Sequence, residues 1–496
     1  MGRTLIAIAA CACFATAVQA QRAPIFLEPG HWAWDAVRRL SAAGLAPPAS
    51  DPAHAPLTLQ RARQVFRHAA AAADSAGRVR LGHLAGGYGY LLAAEADSAG
   101  VLAAAAPGVG WTASRGEARG GEGYFEDEDW VGAQPLEESS RPAVALTAHG
   151  HAAPWLSWSV HGGYLAKQWV LPAGAIAAAI GPFDVWAGRR RLHYGPGRGG
   201  GIVSGSGLND MAAFSHRTLD TFEGIGTHVR EPFELPWILR ALGPTRMEVV
   251  GGRMSRNGRI DSPWLVFGRL TTAPFGDRLT LGLNRGAIFG GEDNPVSARR
   301  LLGVVFGRQN DGFENQVISA IMRYRPPLGS LPLELHLEFG ADDQAGAITD
   351  VPTYIAGMDL AAVPGLPALA VGIEHARFSG SCCGNPPWYR NVFFRGSWSD
   401  DGRLFAHALG GHGYEWLTHA RLDLPGSGFL LRADAFARRR GRENLFAPER
   451  AGRSLGGVVS LELRRARTTL RLDGGYEDGS SWSLHRLSAM VSQTIH

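Results

Sequence analysis

The stretch Leu333–Gly340 reads LELHLEFG. Leu333, Leu335, Leu337 and Phe339 alternate with Glu334, His336, Glu338 and Gly340. Successive side chains of a strand point to opposite faces, so this is a strand with one apolar and one polar face. The same period recurs outward from it. Leu470 and Leu472 alternate with Thr469, Arg471 and Asp473, and Val459, Leu461 and Leu463 with Ser460, Glu462 and Arg464. Leu156, Trp158 and Val160 alternate with Ser157, Ser159 and His161, and Leu279 and Leu281 with Arg278 and Thr280. Gly, Pro, Asn and Asp turns bound these segments. Counting them from about residue 100 to the end gives roughly fifteen to twenty strands.

Alternation has two physical solutions. A soluble sandwich hides its apolar face against a second sheet. A membrane barrel turns that face to lipid and its polar face to an enclosed lumen. Strand lengths near the roughly 9–11 residues of a tilted bilayer strand favour the barrel. So do charges of both signs on the polar face, as in Arg432/Asp434, Glu462/Arg464 and Arg471/Asp473. Trp155, Trp186, Trp264, Tyr414, Trp416 and Trp482 stand at strand ends, where interfacial aromatic girdles lie. Closure removes sheet edges, which lipid does not tolerate.

The remaining sequence agrees with export. Arg3, the apolar run Leu5–Val18 and Val18-Gln19-Ala20 read as a signal peptide over residues 1–20, with Gln21 as the first mature residue. Only Cys382 and Cys383 then remain, and adjacent cysteines close almost no loop. Residues 21–98 carry helical periodicity, as in Trp34, Val37 and Leu40 followed by Gly44-Leu45. The barrel is expected over 99–496. Charged residues are 19% of the 496 and the net charge is +4, and no long Lys/Arg block stands out, so no nucleic-acid partner is expected. No metalloprotease, nucleophile-elbow or phosphate-loop motif occurs, so neither catalysis nor a cofactor is expected. His149 and His151 share a strand face and read as solvated lumenal histidines.

Several central motifs resemble the Wzi-type capsule assembly family. Trp186-Ala187-Gly188-Arg189-Arg190 with Tyr194-Gly195-Pro196-Gly197 is similar to its "AGRQ…WGPG" block. Pro236-Trp237 with Leu242-Gly243-Pro244 resembles "P.W…LGP", and Leu283-Asn284-Arg285 with Phe289-Gly290-Gly291 resembles "GL.R…FGG". Tyr389-Arg390, Gly402-Arg403 and His407-Ala408-Leu409-Gly410-Gly411 are similar to "Y.H…GR.LGH.LG". The resemblance implies a mainly β protein: a transmembrane antiparallel β-barrel of about 18 strands, with a small periplasmic N-terminal helical domain. It also implies a cell outer membrane location and retention of capsular or extracellular polysaccharide at the surface, by lectin-like binding without catalysis. The alternative is a porin-like channel.

Sugar rings need aromatic faces, and uronate carboxylates need planar donors such as Arg. The candidate polysaccharide contacts are therefore Trp388, Tyr389, Arg390, Arg395, Trp398 and Arg403. The candidate lumen or plug motif is Arg190, Tyr194, Gly195, Pro196, Gly197 and Asn284, around the glycine-rich stretch 195–201. Surface polysaccharide and outer-membrane lipid are the expected partners, and a monomer the expected state.

Overall fold

A computed structural model describes residues 22–50, 56–75, 78–95, 101–116, 139–165, 168–205, 221–254, 256–257, 260–276, 278–292, 294–305, 313–329, 331–342, 353–380, 388–391, 396–400, 403–446, 450–480 and 482–495. Residues 1–20, where a signal peptide is expected, and Cys382-Cys383 lie outside these residues.

The alternating segments become strands of one closed antiparallel sheet. In chain order they are β1 (Ala104–Gly116), β2 (Ser139–Ala153), β3 (Leu156–Leu165), β4 (Gln168–Ile180), β5 (Phe183–Arg191) and β6 (Thr221–Val229). Next come β7 (Pro244–Arg253), β8 (Trp264–Thr272), β9 (Leu279–Phe289), β10 (Glu314–Tyr324), β11 (Leu333–Asp342) and β12 (Thr353–Leu360). The last are β13 (Leu369–Phe378), β14 (Gly413–Leu424), β15 (Phe429–Arg440), β16 (Gly452–Arg465), β17 (Thr468–Gly479) and β18 (Ser483–Gln493). Each pairs with its sequence neighbour, and β1 closes the barrel on β18 in the register Val109↔Val491 and Thr112↔Ser488. The result is an 18-stranded barrel.

The two faces are inverted relative to a soluble protein. On β11, Glu334 is 4% and Glu338 0% exposed, while Leu335 and Leu337 are 38% and 36% exposed. Val109, Ile176, Leu283, Met322, Ile373, Leu455 and Leu487 extend this outward apolar surface around the barrel. An apolar surface of that extent needs hydrocarbon as its solvent.

The tightest turns and the longest loops lie at opposite ends of the barrel, although β3 and β4 are also joined by two residues at the long-loop end. Pro154-Trp155, Gly181-Pro182 and Ala466-Arg467 are two-residue turns at one end, whereas 192–220 and 379–412 are long loops at the other. The short-turn end carries three helices, α1 (Trp32–Ala42), α2 (Leu59–Ser75) and α3 (Val79–Glu95). They form where the helical periodicity places them and share an apolar core with Trp32 stacked on Phe66, ring centroids 6.0 Å apart. That core includes Ala361, Ala362 and Leu430 of the barrel, so helices and barrel are packed together.

Buried polar bonds fix the docking. Arg39 of α1 donates to the carbonyls of Ala361 (2.8 Å) and Ala368 (3.1 Å) and to Asp423 (3.0 Å). Tyr88 of α3 also donates to Asp423. Glu95, the last residue of α3, accepts from the Trp32 indole at 2.7 Å, meets His31 at 3.0 Å and pairs with Arg464 of β16. Burial alone would raise the Glu95 carboxyl, but Arg464 and His31 hold it down to about 2 from an ordinary 4.5. A depressed folded-state value means its contribution is full above pH 4.5 and fades as pH falls towards 2. We therefore expect the helices to loosen from the barrel between roughly pH 4.5 and 2. Glu95→Gln should be looser at neutral pH and should lose that acid transition. Tryptophan fluorescence of the detergent-solubilised protein reports it. An acid profile identical in protein and variant would remove Glu95 from this role.

Candidate functional site

The lumen is the site that the fold builds. The Gly-rich segment after β5 turns inward instead of looping outward, and residues 192–205 are buried throughout. Backbone amides and one arginine hold it. Arg198 N–H and Gly199 N–H donate to the two oxygens of Glu374, at 2.7 and 3.0 Å. Ile202 N–H donates to Glu338 at 3.2 Å, and Glu338 also accepts from Ser319 at 2.5 Å. The Arg198 guanidinium bridges Asp434 (3.0 Å) and Asp35 of α1 (3.3 Å). Asp35 in turn pairs with Arg421 at 3.3 Å and with Arg432. Wall, plug and helical unit thus meet at one carboxylate.

Glycine is required where the plug crosses these acids. A Cβ on Gly199 would lie 2.7 Å from Glu415 Oε1, 2.9 Å from His407 Nε2 and 3.0 Å from Glu374 Oε1. No side chain fits there without moving buried charged groups.

The residues of the plug motif fall together. Arg190 stacks over Phe26 at 3.7 Å and bonds Glu28 at 3.2 Å. Tyr194 packs against Phe267, and Arg269 lies over its ring at 4.6 Å. Pro196 accepts a hydrogen bond from Arg38. Asn284 is fully buried and donates to Ser319 at 3.2 Å. Burial pushes His193 down to about 3, so its ring is neutral, and its Nε2 lies 3.1 Å from the Gly197 carbonyl.

The aromatic residues singled out as sugar contacts behave differently. Trp388 is 2%, Tyr389 0% and Trp398 0% exposed. Trp398 donates to the Val203 carbonyl at 2.8 Å and Tyr389 to the Ile202 carbonyl at 3.0 Å. Trp388 stands edge-on to Phe378. Their ring faces are occupied by protein, because the described residues 388–389 and 398 pack inward onto the plug. Sequence could not separate a buried amphipathic aromatic from an exposed one. The side chains of Arg390 and Arg403, and Arg395 as a whole, lie outside the described residues.

Water still reaches part of the lumen. Thr147 and His161 face inward and bond to each other at 2.7 Å, yet both are exposed. His151 is buried instead, with its Nε2 3.1 Å from the Ala23 carbonyl. The expectation of a solvated lumenal histidine therefore fails at His151, because the N-terminal segment covers it.

Two acid–histidine groups bring metal-ligand atom types together. Glu374, His407 and Glu415 come close together. However, Nδ1 of His407 accepts the Leu409 N–H at 3.1 Å, which leaves the ring proton on Nε2. That nitrogen faces Glu415 at 3.8 Å and Glu374 at 4.0 Å as a donor, not as a metal ligand. In the group Glu334, His336 and Asp359, Glu334 is already engaged by Arg323 at 2.7–2.9 Å.

Comparison with known proteins follows the same lines. The family described as Capsule assembly protein Wzi matches residues 139–480. A solved structure of Wzi, an outer membrane protein involved in group 1 capsule assembly in Escherichia coli and described as a carbohydrate-binding β-barrel, is similar with a TM-score of 0.69. It is 16% identical, over 95% of this chain and 99% of that one. Pseudomonas aeruginosa OccK11 (OpdR) and OpdO are 12% and 13% identical, each over 79% of this chain and 95% and 96% of their own, both with a TM-score of 0.43. No curated protein sequence matches.

Proposed function

This chain belongs to the Wzi capsule assembly family of the outer membrane, and from that premise we propose that it binds and retains capsular or extracellular polysaccharide at the cell surface. The proposed binding is lectin-like and non-catalytic, by a monomer set in outer-membrane lipid. The observation that carries the reading is the filled lumen. A segment pinned by Glu374, Glu338, Asp434 and Asp35 occupies the space a channel would need open. The porin-like alternative is correspondingly weaker. By the usual rule that short turns face the periplasm, the helices close the periplasmic mouth and the long loops face outward. The region 379–403 remains the proposed glycan contact. Its buried aromatics anchor the loop, and its arginines Arg390, Arg395 and Arg403 are the proposed carboxylate donors.

The deciding experiment is deletion of the gene followed by staining for cell-attached and shed polysaccharide. Loss of attached polymer with a matching rise in the medium is expected. Unchanged attachment would sink the proposal and leave the fold untouched.

A further inference from the structure

The outer wall carries a feature that neither the lumen nor the glycan reading uses. At the long-loop end of β12 to β16, one rung of the sheet runs Tyr354↔Arg377↔Tyr414↔Arg439↔Arg453. Their neighbours in sequence Ile355, Ala376, Phe378, Arg438, Arg440 and Ser454 are buried on the lumenal side. Alternation therefore points the whole rung outward, and Arg377, Arg439 and Arg453 are all exposed.

The three arginines come from β13, β15 and β16, with Tyr414 of β14 between Arg377 and Arg439. Arg439 and Arg453 are directly opposed, a placement that destabilises a sheet unless something neutralises it. No carboxylate pairs with any of the three among the described residues. Acids lie near the rung among the described residues. Glu443 lies 3.4 Å from His412. Asp478 stands opposite Leu455, one rung further towards the membrane centre than Arg453. Glu415 faces the lumen and is taken by Arg438.

The next rung inward is aromatic and apolar from His375 to Leu455 and ends on Asp478. His375 lies 4.3 Å from Trp416, ring to ring, and also adjoins Tyr354 and Tyr414, with Leu455 on the same rung. Below it begins the apolar surface with Ile373, Met358 and Leu472. The arginines therefore sit where the lipid-facing band meets the long-loop rim, at headgroup depth. In an outer membrane the headgroups on that side are phosphorylated sugars of the outer-leaflet glycolipid. Planar guanidinium groups bind phosphate bidentately, and tyrosines and a tryptophan suit a sugar–acyl boundary.

The geometry points to a binding site for a phosphorylated outer-leaflet glycolipid, with Arg377, Arg439 and Arg453 on its phosphates and Trp416 against its acyl chains. Its ligand is bound at the lipid interface, separate from the proposed capsule-contact loop.

The test uses the mature protein in detergent, titrated with bisphosphorylated lipid A and with the same lipid dephosphorylated, and followed by native mass spectrometry. We expect retention of the phosphorylated lipid only. Arg377→Gln/Arg439→Gln/Arg453→Gln should weaken it about a thousandfold, since bonds to charged groups are each worth about a factor of ten. Heat-modifiable gel migration checks that the barrel is intact. Arg453→Glu guards against a folding artefact: it places opposite charges across the pair, so it should unfold no more readily than the parent yet still lose the lipid. Equal retention of the two lipids, or equal binding by parent and triple variant, overturns the site. So does a soluble polyuronate that binds the parent and not the triple variant while lipid A is held equally by both. The rung would then be part of the glycan surface.

Discussion

Arg198→Met is expected to destabilise the folded barrel by about 3–5 kcal/mol, the usual loss when one partner of a buried ion pair is removed. Arg198 is among the buried charged residues, and its guanidinium bridges Asp434 at 3.0 Å and Asp35 at 3.3 Å. Methionine keeps the stem and removes the fork. Asp35 then keeps Arg421 and Arg432, and of the ties from plug to helical unit the ion pair is lost while the bond from Arg38 to the Pro196 carbonyl stays. The backbone amides of residues 198 and 199 still reach Glu374, so the plug should loosen rather than leave. Two measurements follow. Urea unfolding, read by tryptophan fluorescence, should move to a lower midpoint. Planar-bilayer recordings should show flickering conductance in the variant and little in the parent. A parent-like midpoint with a silent lumen would mean that the arginine does not hold the plug.

Arg39→Ala should act on a different joint with a similar loss, about 3–5 kcal/mol of docking free energy. One guanidinium satisfies the carbonyls of Ala361 and Ala368 and the buried Asp423. Without it those acceptors stay buried with fewer donors, and an unmet buried acceptor keeps its desolvation cost. Asp423 retains Arg421 at 2.5 Å and Tyr88, so the barrel itself should survive. The expected phenotype is a helical unit that proteases remove from an otherwise protected barrel. Arg39→Lys should rescue poorly, because an ammonium cannot span carbonyls and carboxylate as the planar fork does. Equal protease resistance of parent and Arg39→Ala would show that apolar contacts such as Leu430 hold the helices without it.

Local sequence carried the wall of this molecule and little of its interior. On β11, Glu334, His336 and Glu338 could be assigned to the lumen because a strand offers each side chain only two directions. The glycine run 195–201 announced an unusual backbone, and the spacing of Trp34, Val37 and Leu40 announced the helix α1. The partners of that backbone were invisible. Glu374 lies 176 residues from Arg198, and Asp434 lies 236 away. Nothing in the spacing of a lumenal acid says which loop will fold down onto it. The same gap misled the reading of Trp388, Tyr389 and Trp398. Aromatics beside arginines in a long loop suit a sugar, but a loop that turns inward spends the same rings on its own core. The rung from Tyr354 to Arg453 was missed for a related reason, since its three arginines belong to three strands and one purpose becomes visible only when the register is known.

The pinning of the glycine segment also constrains the order of biogenesis. Its amides and the Arg198 guanidinium follow β5, but the carboxylates that receive them come from β11, β13 and β15, and Arg39 waits for β14. A chain inserted only through its first half has no clasp for either cork or cap. Each nascent barrel must therefore pass through a leaky, open-throated stage, and sealing is a late event that reports completion of the carboxyl-terminal half.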